Sequence, residues 1–476
     1  MKNIENTNCE MKDGTECNME IVWNEEHGLI FDGIIKQLEA YNIRYFILRN
    51  YNGLPNKNTA KDVDIIFEPG YLQDIRTIIV KVFKNNSVEY YKEEIYGHVH
   101  SFWGNNLSNR FSIHIDLIEG YFAKGFEVFS FDELYRETVC YNNYVVLNSF
   151  FSGVMLYVYK QFGYKHPVFK EEYKKEIVKI CNMYPEKFKG AIAKITNFQF
   201  AEKAITSIRN NDFDQIIGDS QEFSKLVKRY VIKKRFLSVL RFNFEFWVQR
   251  VNQTIFNYKK FSNNFAVLAP DGTGKTTFLE LVVEQLNYYR VCRVEDNHFS
   301  IYHFRPNIFP NLGEVGEKVG IKEQDKNFTD PHRNKPAGKI SSFIRLLYYI
   351  CDYILGWQIR VREDVRRNRW SIFDRYSYDL IVDPLRTRLD LPQKVREFFV
   401  TLTPKPNVIF CLVADENIVY ARKQELKKEE IRRQLDTYKK IASKDERIII
   451  LNAERAPEEI ADEAIEVLFL RYMKKI

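Results

Sequence analysis

The chain has 476 residues, of which 45% are hydrophobic and 28% are charged, and its formal net charge is +7. This length supports two to four domains with cores of their own, and the composition is that of a globular protein. The modest positive charge suits phosphorylated small molecules as well as it suits a membrane or nucleic acid, so we expect no nucleic-acid partner on this ground.

The cysteine pattern and the lengths of the apolar segments indicate in which cellular compartment the protein is expected. The seven cysteines are odd in number and lack paired spacing, which argues against a disulfide framework and a zinc site. No apolar run is as long as a membrane-spanning helix requires, and the N-terminus is too acidic and polar for a signal peptide. We therefore expect a cytoplasmic protein whose residues 1–20 form a disordered tail.

Residues 21–145 are predicted to form an α+β domain. Apolar side chains at helical spacing predict an amphipathic helix from Ile30 to about Tyr41, and residues 45–48 are an apolar run typical of a strand. A loop rich in turn-forming residues follows and leads into the next strand.

Three aspartates of this domain are candidate metal ligands. Asp62 and Asp64 lie at the start of a predicted strand, and because strand side chains alternate, both point to the same face. Asp116 lies on a later strand of similar apolarity. Carboxylates that meet on neighbouring strands would bind a divalent cation such as Mg²⁺. The alternative is a solvated strand end on an inactive relic.

This arrangement resembles the nucleotidyltransferase fold of the DNA polymerase β type, in which a loop precedes an Asp-x-Asp strand and a third Asp follows on a later strand. The resemblance implies that Asp62 and Asp64 bind metal ions, while Asp116 completes the site and serves as base. The chain departs from that family by having Arg49-Asn50 where the family has a Gly-Ser pair. An ion pair from Arg49 would indicate a relic, and open carboxylates a live site.

The next two segments are predicted to be helical. Residues 146–224 show helical spacing and form an extension of the first domain, and residues 225–261 form a basic connector. The connector is rich in Lys, Arg and aromatic residues and contains a single acid, Glu245. Such a helix could make a weak contact with an anionic membrane surface, or it could pack its aromatic faces between two domains, which we favour.

A phosphate-binding loop follows the connector. Residues 265–268 are an apolar run typical of a buried strand, residues 269–276 read APDGTGKT, and a helical pattern comes next. The glycines let successive N–H groups point at phosphate oxygens, and the positive end of the helix adds to this. Lys275 can reach the β- and γ-phosphates, and Thr276 can bind Mg²⁺. The predicted nucleotide-binding residues are Asp271, Gly272, Thr273, Gly274, Lys275, Thr276 and Thr277.

Further candidates follow two later strands. Pro306 fixes an extended loop, so that Arg305 could bind a substrate phosphate in a forked geometry. The strand 370–373 ends in Asp374, and an acid there can hold Mg²⁺ or polarise the attacking hydroxyl. Residues 422–433 form a cationic segment that we expect to be mobile.

Strands that alternate with helices predict a parallel sheet with helices on both faces. The expected fold class is therefore α/β for residues 262–476, preceded by the α+β domain and the helical connector.

Residues 262–476 resemble the thymidylate kinase family of P-loop kinases. The resemblance depends on the phosphate loop, on the Asp374-Arg375-Tyr376 strand end and on the cationic segment at the place of the lid. It implies that Lys275 and Thr276 bind ATP·Mg²⁺. The implied acceptor ligands are Arg305, Arg375 and Tyr376, and the implied catalytic residues are Lys275, Asp374, Arg375, Arg422, Arg432 and Arg433. The motif HFRPNIFP replaces the family's arginine loop, and residues 311–338 look like an insertion.

The sequence thus predicts an ATP-dependent kinase that uses Mg²⁺ and acts on a nucleoside monophosphate or another small phosphorylated acceptor. One alternative is an ATP-binding switch protein with an inactive first domain. Another is a nucleotidyltransferase and kinase pair, as in surface-polysaccharide precursor synthesis. A dimer is plausible.

Overall fold

The computed structural model describes residues 23–58, 63–121, 123, 125–163, 167–251, 263–289, 299–310, 338–366 and 369–476. The predicted tail at residues 1–20, Asp62 and the predicted insertion up to residue 337 lie outside the described residues. The described chain is a mixed α/β protein with parallel strands flanked by helices, which confirms the predicted fold class.

Eight strands of the described residues form a mixed sheet in the order β13-β3-β4-β5-β2-β1-β7-β6. Strands β1, β2, β5 and β7 include the parallel pairs β1–β7 and β2–β5, and the other neighbours are antiparallel. The strands are β1 (Tyr45–Ile47), β2 (Val63–Phe67), β3 (Tyr90–Tyr96), β4 (Val99–Asn106), β5 (Phe111–Glu119), β6 (Thr138–Tyr141), β7 (Tyr144–Leu147) and β13 (Lys474–Lys475).

Helices α1 (Glu25–Ala40) and α2 (Leu72–Asn85) pack on one face of this sheet. The sequence predicted that α1 begins at Ile30, and the structure corrects this start. Asn24 caps the helix, because its side-chain oxygen accepts a hydrogen bond from the backbone N–H of His27 at 3.2 Å. A short helix, α3 (Phe131–Tyr135), precedes β6.

The predicted helical extension is present. Its helices are α4 (Ser149–Gly163), α5 (Glu171–Met183), α6 (Pro185–Ile195), α7 (Phe198–Arg209) and α8 (Phe213–Gly218). They share one core with Phe46 and Ile66 of the sheet, so they cover the face opposite α1 and α2.

The described part of the predicted connector belongs to a long helix, α9 (Ser220–Val251), which breaks at Arg235, where φ is −140° and ψ is 45°. Residues 252–261 of the predicted connector lie outside the described residues. Arg235 leaves the helical register and forms an ion pair with Glu133. The sequence favours packing of the aromatic side chains between two domains. Phe242 does contact His98, but Phe244 and Trp247 are 70% and 65% exposed, so these two rings do not pack as predicted.

Five strands of the described residues form a parallel sheet in the order β12-β11-β8-β10-β9. The strands are β8 (Asn264–Leu268), β9 (Phe299–His303), β10 (Trp370–Asp374), β11 (Val408–Val413) and β12 (Ile448–Asn452). The chain leaves β8 towards β9 and β10 on one side and reaches β11 and β12 on the other. The strand order therefore reverses at β8, and such a switch point is where open α/β sheets bind ligands.

Helices cover both faces of this sheet, as predicted. The helical segments are α10 (Lys275–Tyr288), α11 (Lys339–Gly356), a π-helical turn (Trp357–Val361), α12 (Arg362–Arg366), α13 (Asp379–Val382), α14 (Gln393–Thr401), α15 (Glu416–Arg422), α16 (Lys428–Ala442) and α17 (Pro457–Tyr472). Phe265 and Val267 of β8 pack in one core with α10 and α17, and Ala266 and Leu268 pack in the other with α11. This alternation is typical of a strand buried on both faces.

The two sheets are in direct contact. Strand β13, which the sequence did not predict, pairs antiparallel with β3 of the eight-stranded sheet. The ring of Tyr90 contacts Phe469 of α17 with centroids 5.6 Å apart, and the Ser112 hydroxyl donates to the backbone oxygen of Tyr289 at 3.1 Å. In the part of the chain that the structure covers, no helix is both long and apolar enough to cross a membrane.

Candidate active site

The phosphate loop, residues 269–276, connects the end of β8 to the start of α10. Gly272 and Gly274 have φ values of 88° and 93°, a conformation that favours glycine. A Cβ atom at Gly272 would lie 2.9 Å from Cβ of Lys423 and 3.0 Å from the backbone oxygen of Val419, so a side chain there would collide. Inside the loop the Thr273 hydroxyl donates to the backbone oxygen of Pro270 at 2.8 Å. The loop is therefore fixed in a shape that requires its glycines.

Helix α10 begins directly at the loop. Gly274 is the N-cap residue, and no side chain caps the first turn. The N–H groups of that turn have no partners within the helix, and the helix dipole makes this end attractive to anions. Thr276 and Thr277 are exposed in the same turn. This end of the helix is thus open to a phosphate group and to a metal ion beside it.

Lys275 and Asp374 meet across the two central strands. Asp374 is the last residue of β10 and pairs in register with Val267 of β8, which places it beside the loop. The Lys275 ammonium forms an ion pair with one carboxylate oxygen of Asp374, and His303 Nδ1 lies 3.1 Å from the other.

Asp374 and His303 both have shifted pKa values. Burial would raise the pKa of Asp374, but the hydrogen bond with His303 and the charge of Lys275 outweigh it and hold this pKa below its usual value. The same hydrogen bond with Asp374 raises the pKa of His303. Asp374 therefore stays ionised at neutral pH, as a Mg²⁺ ligand must.

A second charged cluster lies on the other side of the loop. Asp271 forms ion pairs with both Arg375 and Arg386. Arg375 also contacts Asp379 at 2.7 Å, and the hydroxyl of Tyr438 donates to Asp379 at 2.8 Å. Burial would raise the pKa of Asp271, but the two guanidinium groups lower it. Ion pairs therefore connect the phosphate loop to the segment that follows β10.

Arg375 is held in an unusual backbone conformation. Its φ is 73°, and its N–H donates to the backbone oxygen of Val267 at 2.9 Å. A non-glycine residue in this region is uncommon and is often found where function requires a particular side-chain direction. Here the conformation directs the guanidinium towards the phosphate loop, where it contacts Asp271.

Arg305 and Tyr376, the other two predicted acceptor ligands, do not make the contacts that Arg375 makes. Arg305 is buried, forms an ion pair with Asp352 at 3.1 Å, and donates to the backbone oxygen of Phe309 at 3.1 Å, so in this structure it holds its own loop. Tyr376 is fully buried, and its hydroxyl donates to the backbone oxygen of Pro404 at 2.5 Å. In this structure Tyr376 therefore packs in the core beside the site, and its role towards an acceptor stays a prediction.

The predicted lid is mostly helical. Arg422 ends α15 and donates to the backbone oxygen of Ala453 at 3.2 Å. Arg432 and Arg433 lie on α16, where Arg432 pairs with Glu416 and Arg433 contacts the backbone oxygen of Val382 at 2.7 Å. The short turn 423–427 separates the two helices. The cationic residues are therefore carried by two helices beside the loop, and their role in closure stays a prediction.

In the eight-stranded sheet, Asp64 and Asp116 are direct cross-strand neighbours on β2 and β5. Arg49 lies 3.3 Å from Asp64, and Asp116 is fully buried. One carboxylate oxygen of Asp116 lies 2.6 Å from the Ser101 hydroxyl and 3.0 Å from Nε2 of His114. The structure thus brings two of the three predicted acids together.

No grouping of three or more His, Cys, Asp or Glu side chains suited to a metal ion occurs among the described residues, which do not include Asp62.

Sequence reasoning missed three residues of the site. Asp379 and Arg386 come after the strand end on a segment that carries no motif, and only the fold brings them to Arg375 and Asp271. His303 was noted only as part of the loop motif. Its position at the end of β9, the strand beside β10, is the signal that would have placed it near Asp374.

Comparisons with known proteins give limited information. No family model matches the chain, and no curated protein matches it. Among solved structures, a thymidylate kinase from Ehrlichia chaffeensis is similar to 43% of this chain and 97% of its own length, with 16% sequence identity and a TM-score of 0.28. A likeness of this degree carries no argument about function, so the function has to be argued from the residues of the site.

Proposed function

We propose that the chain is an ATP-dependent phosphotransferase that acts on a nucleoside monophosphate or another small phosphorylated acceptor. The observation that carries the proposal is the meeting of Lys275, from the phosphate loop, with Asp374 at the carboxyl edge of the parallel sheet. A general phosphate-binding protein needs the loop alone. An ionised acid beside the loop lysine adds a ligand for the metal that accompanies a transferable phosphoryl group.

The residues present fit a nucleotide with Mg²⁺. The loop requires glycine at position 272, the first turn of α10 has no side-chain cap, and Thr276 is exposed in that turn. Thr276 and Asp374 offer the hard oxygen ligands that Mg²⁺ prefers. ATP·Mg²⁺ would supply the γ-phosphoryl group and neutralise part of its charge.

The side chains around the phosphate loop have separate roles in the proposed reaction. Lys275, which contacts Asp374 in this structure, is free to turn to phosphate oxygens once that carboxylate binds a metal. Arg375 and Arg386 are the cations nearest to Asp271, and we assign them to the acceptor phosphate. Arg422, Arg432 and Arg433 are assigned to the transferring group after the two helices that carry them move towards the loop.

The proposal assigns no reaction to the acids of the eight-stranded sheet. Arg49 contacts Asp64, and Ser101 and His114 both contact one carboxylate oxygen of Asp116. This is the arrangement expected of a relic in which a basic side chain has replaced a metal ion.

The test is incubation of the full chain with ATP·Mg²⁺ and a panel of nucleoside monophosphates and sugar phosphates, analysed by mass spectrometry. We expect one class of acceptor to gain a phosphate over many turnovers while ADP accumulates in equal amount. Slow ATP hydrolysis that no acceptor accelerates would instead support an ATP-dependent switch. Asp374→Asn is the matched variant, since it removes the metal ligand and keeps the size of the side chain.

A further inference from the structure

The second half of the connector helix, residues 236–251, exposes a continuous apolar stripe. At about 100° per residue, seven of its exposed apolar side chains fall within about 120° of the helix circumference, and Phe246, which is 42% exposed, lies outside this arc. These side chains, which we call the connector stripe, are Phe236, Leu237, Leu240, Phe244, Trp247, Val248 and Val251. Each is at least 39% exposed, and Leu237 reaches 79%. A monomeric soluble protein seldom shows such a stripe without a use for it.

The opposite face of the same helix holds it against the protein. Val239 is buried, and the ring of Phe242 contacts His98 of the eight-stranded sheet with centroids 4.8 Å apart. Asn243, on the other side of Val239 from Phe242, is half-buried. The helix is therefore anchored through one side while the connector stripe faces away from the molecule, so rotation of the helix cannot hide the stripe.

Exposed cations lie on the same helix. Before the break at Arg235 the helix exposes Lys225, Lys228, Arg229 and Lys233. In the second half Arg241 is 75% exposed and pairs with Glu245 at 2.8 Å. An aromatic-rich apolar face with cations on the same helix matches the interface of an anionic bilayer, where rings enter the headgroup region and lysines meet lipid phosphates.

We propose that the connector stripe binds the surface of an anionic lipid membrane, with residues 236–251 lying in the plane of the interface. A second copy of the chain would bury the apolar side chains equally well. The net charge of +7 on each copy opposes such association, whereas an anionic surface satisfies both the stripe and the cations of the same helix.

The experiment is co-sedimentation of the full chain with vesicles of phosphatidylcholine alone and with vesicles that also contain phosphatidylserine. We expect binding to the anionic vesicles that falls with added salt. Phe244→Ser combined with Trp247→Ser should lower the partition coefficient by about tenfold or more, because two rings no longer leave water. Lys225→Gln combined with Arg229→Gln should weaken binding and reduce its salt dependence.

The matched control is Phe198→Ser, because Phe198 is 67% exposed on another helix of the chain, close to the 70% of Phe244. It should bind vesicles as the unchanged chain does. Equal binding by Phe198→Ser and the Phe244→Ser/Trp247→Ser variant would overturn the proposal, as would equal binding to neutral and anionic vesicles. A dimer in sedimentation velocity that the double variant dissociates, with no vesicle binding, would assign the stripe to a second copy. Urea unfolding should show that all variants keep their fold.

Discussion

The two sheets of this protein each bring acids and bases together, and they do so in different ways. At the five-stranded sheet, Lys275 and Asp374 meet beside a loop whose backbone is shaped by Gly272 and Gly274 and beside an uncapped helix. At the eight-stranded sheet, Asp116 is fully buried and contacts Ser101 and His114.

The difference shows that charge pairing alone does not identify a catalytic site. Both sites hold ion pairs, and among the described residues the five-stranded sheet adds exposed hydroxyl groups and open helix N–H groups to them. In the proposed function, an incoming phosphate replaces Asp374 as the partner of Lys275. Nothing comparable surrounds Asp64 in the described residues, where Arg49 already neutralises it.

Replacement of Lys275 should have the greatest consequence. We expect Lys275→Ala to lower kcat by about a hundredfold or more, because it removes a charge contact made to the transferring group. The measurement is acceptor-dependent ADP formation. Lys439→Ala, which changes an exposed lysine on α16, should keep full activity. A folded Lys275→Ala chain with unchanged turnover would end the kinase assignment.

Replacement of Arg375 tests how much this residue contributes to the stability of the fold. Arg375 neutralises Asp271 and Asp379 and is itself buried, so Arg375→Ala leaves the buried carboxylate of Asp379 without its cation, while Asp271 keeps Arg386. We expect the free energy of unfolding in urea to fall by about 3–5 kcal/mol. Arg386→Ala removes a more exposed partner of Asp271 and should cost much less stability. Equal losses for the two variants would show that Arg375 has no special structural role.

Replacing the two arginines of α16 tests whether this helix closes over the loop. We expect Arg432→Ala and Arg433→Ala each to lower kcat by about tenfold while the affinity for ATP changes little, since closure acts on the transition state. Lys440→Ala, another exposed cation on α16, is the control. Weaker ATP binding at unchanged kcat would assign these arginines to ground-state binding.

Asp64 should matter least to the kinase reaction. Asp64→Asn keeps the size of the side chain and removes only the charge that faces Arg49. We expect unchanged phosphoryl transfer, because Lys275 and Asp374 belong to the other sheet. A collapse of turnover in a folded Asp64→Asn chain would mean that the contact between the sheets, through Tyr90 and Phe469, couples their chemistry.

Local pattern predicted much of this fold. Residues 265–268 and the glycines of the loop carry strong local signals, and the structure has the strand and the loop where the sequence indicated. The strand end at Asp374 was also predictable, since parallel strands align their carboxyl ends at one edge.

The parts that escaped prediction depend on contacts distant in sequence. No local sequence signal indicates that Arg386 forms an ion pair with Asp271, or that Asp352 forms one with Arg305. Strand β13 has two residues and no periodicity, and it exists because β3 offers it an open edge. The exposure of Trp247 was missed for the same reason, since a sequence does not show which face of a helix finds a partner.

The fate of the ATP phosphates tests the kinase assignment most directly. ³¹P NMR of the full chain with ATP·Mg²⁺ and the acceptor panel distinguishes ADP from pyrophosphate as the reaction proceeds. We expect ADP and a newly phosphorylated acceptor, both abolished in Lys275→Ala and both unchanged in Asp64→Asn. Pyrophosphate that forms equally in the Lys275→Ala chain and disappears in Asp64→Asn would contradict the account, because it would place the chemistry in the eight-stranded sheet.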